Sequence, residues 1–151
     1  MSLVKLALVA RFAAICVAGG GTEDFEQVRL KGKVVPLHAA LQARGLKVDP
    51  EPVAAEVVLI QDDGTLIALF SDEGSRALFQ DKRLQNRRAV LMTRRHRGIP
   101  WHQVVTFQVE DGGKLRTPEY YCEICTISVR YPQTCPCCQG PMELRMKPEA
   151  H

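Results

Sequence analysis

The sequence predicts a mainly β fold with one or two short helices and a small cysteine-rich segment at its C-terminal end. Several short runs rich in Val, Ile, Phe and Thr are separated by Gly, Pro and Asp turns, which is typical of strands. Asp62-Asp63-Gly64 stands between two such runs and indicates a β-hairpin. Five of the six cysteines lie between Cys122 and Cys138. The chain has 151 residues, 46% of them hydrophobic and 25% charged, as expected for one globular domain.

The predicted elements begin after a Gly-rich break near residue 20. The first strand alternates apolar residues with Arg29, Lys31 and Lys33, and Gly45 is the expected end of the helix that follows it. Ser71-Asp72-Glu73 supplies N-cap candidates and acids for the start of a second helix. In chain order, the elements are a strand, a helix, two hairpin strands, a helix and two strands, over residues 27–37, 37–44, 53–61, 65–70, 72–84, 88–95 and 101–110.

This order resembles that of the OB-fold, a small five-stranded Greek-key barrel with a helix between its third and fourth strands. The resemblance covers residues 26–110 and rests on the order of the elements alone, and the helix at 37–44 would be an insertion. Another five-stranded α+β sandwich is the alternative. We therefore expect an OB-like barrel over residues 26–117 and a cysteine-rich unit over residues 118–147.

Residues 1–25 have the outline of a secretory signal. Lys5 precedes a mostly apolar stretch, and Ala18-Gly19-Gly20-Gly21 supplies small residues at a cleavage point. Arg11 interrupts the apolar stretch, which is too short for a typical membrane span. We favour export to the cell envelope, with a cytoplasmic chain and membrane association through this segment as alternatives. An N-terminal helix packed on the domain, or a disordered leader, is the alternative interpretation of the same residues.

The C-terminal cysteines have the spacing of a zinc site. Cys122 and Cys125 form one Cys-x-x-Cys pair, and Cys135 and Cys138 form a second pair after nine intervening residues. Zinc prefers four ligands in a tetrahedron, and two such pairs at tight turns complete that shell with thiolate. The pattern resembles zinc-ribbon and rubredoxin-like knuckles, in which Cys-Pro-x-Cys is followed by Gly, although Gly140 comes one residue late here. We expect structural Zn²⁺, with disulfides competing if an exported chain takes up no metal.

Cys137 departs from the four-cysteine pattern. It is a bystander, an alternative ligand or a redox-active thiol beside the metal. Elsewhere the sequence shows no acid-base pair, no nucleophile motif and no phosphate-binding loop. We therefore expect neither an enzyme nor a small-molecule substrate.

The distribution of basic residues points to one further class of partner. Between Arg76 and Arg97 there are eight Lys or Arg residues and one acid. OB-folds bind single-stranded nucleic acid through a cationic groove and stacking aromatics. The residues that would serve this purpose are Arg88, Arg95, Arg97 and Trp101. On a strand, alternate arginines also form ordinary solvated faces, and that alternative stays open.

Together, the OB-like order and the cysteine pairs resemble small uncharacterised bacterial envelope proteins in which an OB-fold module carries a C-terminal zinc ribbon. The resemblance covers residues 26–146. It implies a non-enzymatic, zinc-stabilised binding module, an accessory subunit that engages another protein. The alternatives are single-stranded nucleic-acid binding through the basic strand and a thiol-based metal-handling or redox protein.

Overall fold

The computed structural model describes residues 24–147, which form two antiparallel β-sheets and two short helices. The prediction of a mainly β fold is confirmed. The strands are β1 Phe25–Pro36, β2 Val57–Gln61, β3 Leu66–Ala68, β4 Arg88–His96, β5 His102–Asp111, β6 Lys114–Arg116, β7 Pro118–Cys122, β8 Ile127–Val129 and β9 Glu143–Met146. The helices are α1 Leu37–Gln42 and α2 Arg76–Gln80, and a short 3-10 helix spans Lys82–Leu84. The signal-like segment and Cys16 lie outside the described residues.

The larger sheet is organised around the long strand β1. Its six strands have the order β3-β2-β1-β4-β5-β6, so that β1 pairs with β4 along one edge and with β2 along the other. Gly32 faces both Gln61 and Ala89 in these ladders. A Cβ atom at Gly32 would lie 2.1 Å from the carbonyl oxygen of Ile60, which explains why glycine stands inside a strand here.

This sheet differs from the expected five-stranded barrel in two respects. It contains a sixth strand, β6, which is absent from the order of elements predicted from the sequence. Its described strands also form no closed barrel, because the residue after β3, Leu69, meets the first residue of β5, His102, only at a single parallel bridge. The mainly β class is therefore established, and the OB-fold assignment goes beyond what the ladders establish.

The hydrophobic core lies on one face of the larger sheet. Side chains of β1, β2 and β4, among them Val34, Leu59 and Leu91, are fully buried there against Leu78 and Leu84 of the helical segment. The short helix α1 lies against the opposite face and covers a second, smaller apolar cluster, formed by Val35, Ala40 and Val58.

The smaller sheet has the order β8-β7-β9 and closes one side of the same core. Tyr120, in the middle of β7, is 1% exposed and belongs to the main core cluster. Its hydroxyl donates a hydrogen bond of 2.7 Å to Asp81 Oδ2, and Asp81 also accepts from the guanidinium of Arg83. A buried polar contact therefore joins the strand that carries Cys122 to the helical segment of the larger sheet.

Candidate metal centre

The two Cys-x-x-Cys pairs converge beside the smaller sheet. Cys122 ends β7 and Cys125 lies in the turn that follows it, whereas Cys135 and Cys138 lie in the turn before β9. The four Sγ atoms all lie within 4.8 Å of one another, and those of Cys122 and Cys138 are 3.6 Å apart. Four thiolates at 2.3 Å from a tetrahedral zinc would stand about 3.8 Å apart. These four cysteines therefore suit a metal ion such as zinc.

The two cysteine turns share one backbone feature. The residue after the second cysteine is left-handed in both turns, with φ of 55° at Thr126 and 58° at Gln139. In the resembling knuckles this position belongs to glycine, which adopts such a φ without steric cost. The displaced Gly140 therefore does not make the second turn irregular, because Gln139 takes the left-handed conformation itself. The Cys135 N–H donates a hydrogen bond of 2.8 Å to the Gly140 carbonyl oxygen across this turn.

Neighbouring groups in the two cysteine turns shift the pKa values of Cys135 and Cys125 in opposite directions. Hydrogen bonds from the backbone N–H groups of Cys138 and Cys137 lower the pKa of Cys135 to about 7. Hydrogen bonds with the thiols of Cys137 and Cys138 raise the pKa of Cys125 well above its ordinary value. Closely spaced thiols cannot all ionise together unless a positive charge compensates them, and a bound divalent cation supplies that charge. The electrostatics therefore agree with the geometry in favouring a metal.

The site is buried on one side and open on the other. Cys122 and Cys135 are buried, Cys125 is half-buried and Cys138 is exposed. Within residues 24–147 every cysteine is a free thiol. Four thiolates leave no open coordination position for a substrate, which is typical of a structural rather than a catalytic metal. Ile124, inside the first pair, is 83% exposed.

Cys137 lies next to this cluster but is not one of its four members. Its side chain is exposed, and it hydrogen-bonds Cys125. It is thus positioned to exchange with a ligand or to react with an oxidant that reaches the open side.

The candidate nucleic-acid residues do not form one surface. Arg88 and Arg95 are seven positions apart on β4, which places them roughly 23 Å apart and on opposite faces of the strand. Arg95 pairs with Glu26 at 2.7 Å, and Arg97 with Asp24 at 3.3 Å. Trp101 is 46% exposed, and the centre of its ring lies 6.4 Å from that of Phe70. Nucleic-acid binding through this set stays a prediction that the geometry does not favour.

A second group of cations was not anticipated as a site. Arg29, Lys31 and Lys33 project from the same face of β1, and Arg88 of β4 is directly opposite Lys33. All four side chains are exposed. The alternation in the first strand was visible in the sequence, but their alignment with Arg88 depends on a pairing over more than fifty residues.

Comparison of the chain with protein-family models, with curated proteins and with solved structures finds no match. Across residues 24–147, no helix has the length and apolar character needed to span a membrane. The function is therefore inferred from the chemistry of the site and of the surface.

Proposed function

We propose that this chain is a non-enzymatic binding module, an OB-like body with a zinc ribbon that engages another protein as an accessory subunit. The observation that carries the proposal is the convergence of Cys122, Cys125, Cys135 and Cys138, whose sulfurs lie within 4.8 Å of one another. A thiolate-saturated zinc contributes folding free energy, on the order of 10 kcal/mol, and leaves the protein surface as the working part.

The course of the larger sheet supports the OB-like part of the proposal. Helix α2 lies between the third and fourth strands, and β1 is shared by β2 and β4. The Phe70 N–H donates a hydrogen bond of 3.0 Å to the His102 carbonyl oxygen. This bond lies beside the β-bridge between Leu69 and His102, at the place where a curled sheet would close. A Cβ atom at Gly74 would lie 1.8 Å from the carbonyl oxygen of Val104, so glycine permits this close approach. In this proposal the barrel covers residues 26–117 and the ribbon residues 118–147, behind an export signal in residues 1–25.

Native mass spectrometry of the full chain, purified without added metal, tests the metal part of the proposal together with a free-thiol count. We expect one zinc ion per chain and no disulfide. Cys122→Ser should lose the metal and lower the unfolding midpoint, whereas Cys137→Ser is the matched control and should retain one zinc. A metal-free protein with paired cysteines would contradict the proposal.

Thiol-based metal handling or redox chemistry is the second candidate, because Cys137 is exposed and contacts Cys125. It predicts that Cys137→Ser keeps the fold and the zinc stoichiometry but changes the rate at which a chelator removes the metal. An unchanged rate would leave the binding module as the sole proposal. Binding of single-stranded nucleic acid is not favoured by any particular contact of Arg88, Arg95, Arg97 and Trp101.

A further inference from the structure

The outward face of β1 and β4 carries a strip of positive charge, which we call the basic face and define as Arg29, Lys31, Lys33 and Arg88. Side chains two positions apart on a strand point the same way, so that the three β1 cations stand in one row. The register places Met92 opposite Arg29, Val90 opposite Lys31 and Arg88 opposite Lys33. The row of cations on β1 is therefore extended by Arg88 on the neighbouring strand β4.

The cations of β1 in the basic face lack ion pairs of the kind that Arg95 and Arg97 form with Glu26 and Asp24. Within residues 24–147, Arg29, Lys31 and Lys33 make no ion pair. Arg88 forms one exposed ion pair, of 3.4 Å, with Asp62. Like charges directly opposite each other in an antiparallel pair are destabilising, and Lys33 and Arg88 stand in that relation. A like-charge pair that lowers the stability of the fold has an explanation if both side chains bind a negatively charged ligand.

A shallow hollow of about 190 Å³ lies within the basic face. Three cations, Arg29, Lys31 and Arg88, line it. Val90 and Leu115 add apolar surface, and Leu115 is 41% exposed. Glu110 is the one acid among the residues that line it. The hollow therefore offers several positive groups for carboxylates next to apolar surface for an aliphatic side chain.

The surroundings of the basic face decide which class of partner fits it. β4 is paired along both edges, and β1 pairs with β4 over Phe25–Lys33 and with β2 over Gly32–Pro36. The four cations project from the face of the sheet rather than from an edge, so a partner segment that binds their charged groups lies across that face. Single-stranded nucleic acid would need aromatic side chains for stacking. The aromatic pair of half-buried Phe70 and exposed Trp101 adjoins the His102 end of β5, about 26 Å along that strand from Glu110. An acidic protein segment requires no such platform.

We propose that the basic face binds an acidic segment of a partner protein, with its Asp or Glu side chains on Arg29, Lys31, Lys33 and Arg88 and an aliphatic side chain against Leu115. The inference rests on the proposed function and names the chemistry of the protein that the module engages. Charge complementarity of this kind mainly sets the association rate and the choice of partner.

The test uses the full, metal-loaded chain and a fluorescein-labelled peptide of about twelve residues, rich in Glu with interspersed Leu and Ser. Fluorescence anisotropy measures its affinity for the wild type and for the double variant Lys31→Glu/Lys33→Glu. We expect at least about a tenfold loss of affinity in that variant. The matched control is Lys47→Glu/Lys82→Glu, which changes the net charge equally at exposed positions elsewhere and should stay within about twofold of wild type.

Three results would overturn the proposal. Equal weakening by both double variants would mean a general charge effect, and equal affinity for a peptide with Gln in place of Glu would exclude carboxylate recognition. Tighter binding of oligothymidylate that is lost in Lys31→Glu/Lys33→Glu would assign the face to nucleic acid. Zinc content and folding are verified first. If a folded, metal-loaded protein does not bind the acidic peptide, the proposal for the basic face is refuted, whereas the proposed zinc-stabilised module is not.

Discussion

Replacing Tyr120 by phenylalanine removes one oxygen atom from the junction between the two sheets. Tyr120 lies in β7, two residues before Cys122, and its hydroxyl donates 2.7 Å to Asp81 Oδ2. Tyr120 is 1% exposed and Asp81 is 7% exposed, so water cannot readily replace the lost donor. The ring stays in place in Tyr120→Phe, and the change in stability therefore reports on the hydrogen bond rather than on a cavity.

The expected loss follows from the partners that Asp81 retains. A hydrogen bond to a charged group contributes about 1.5 to 3 kcal/mol to stability. In the variant, Asp81 still accepts from the Arg83 guanidinium at 2.7 to 3.1 Å and from the Arg83 backbone N–H at 3.0 Å. These bonds prevent the full penalty of an unpaired buried charge, so we expect a loss of about 2 kcal/mol in the free energy of unfolding. That loss corresponds to a melting temperature lower by about 4 to 8 °C for a chain of this size.

Urea unfolding followed by circular dichroism measures this difference. Tyr131→Phe is the control, because Tyr131 is half-buried and its hydroxyl makes no hydrogen bond within residues 24–147, although Arg76 lies 4.3 Å from its ring centre. We expect that control to change stability by less than about 0.5 kcal/mol. If Tyr120→Phe unfolds at the same urea concentration as Tyr131→Phe, the buried hydrogen bond does not couple the two sheets.

The same contact predicts a response to acid. Burial acts to raise the pKa of Asp81, but hydrogen bonds from the Arg83 side chain, from Tyr120 and from the Arg83 backbone outweigh it and hold the pKa below its ordinary value of 3.8. The resulting stabilisation is fully present above that ordinary value and is lost as the pH falls through the lower, folded-state pKa. The stability difference between wild type and Tyr120→Phe should therefore shrink in urea titrations below about pH 3.8. A difference that is constant down to pH 2 would contradict this account.

Three further predictions concern the larger sheet and the second cysteine turn. Gly32→Ala should lower the free energy of unfolding by about 3 kcal/mol or more in urea unfolding, because its Cβ would displace the Ile60 carbonyl and separate β1 from β2. An unchanged midpoint would contradict this close contact between the two strands. Lys33→Glu should raise stability by about 0.2 to 1 kcal/mol in the same assay, since it replaces a like-charge pair with Arg88 by an opposite one. Gln139→Gly should raise the free energy of unfolding by about 1 kcal/mol or less in urea unfolding, because glycine relieves the φ of 58°, while native mass spectrometry still finds one metal per chain.

The parts of the structure that the sequence predicts well are those with local signals. The Cys-x-x-Cys pairs are local, and their convergence follows from the tight turn that each pair forms. The hairpin of β2 and β3 follows from Asp63 and Gly64, and the Asp63 side chain accepts 2.8 Å from the Thr65 N–H within that turn. These features need only a few neighbouring residues, so one sequence is sufficient to find them.

The remaining features depend on pairings between distant segments. Strands β6, β7 and β9 have only three to five residues each, which is too short for an alternating pattern to stand out. β7 pairs with β9 more than twenty residues later, across the second cysteine turn. The ion pairs of Arg95 and Arg97 join residues about seventy positions apart, so the sequence presents these side chains as free cations although acids neutralise them in the fold.

The metal centre and the basic face lie on different sheets, yet the core makes them interdependent. Val129, Leu144 and Met146 of the smaller sheet pack against the main core cluster, and Tyr120 belongs to it. A metal that holds the two cysteine turns together therefore also keeps the smaller sheet in place over the core beneath β1 and β4. We infer that loss of the metal would weaken peptide binding only to the extent that it unfolds the chain. Charge reversal at Lys31 and Lys33, by contrast, would weaken binding in a protein that stays folded and metal-loaded.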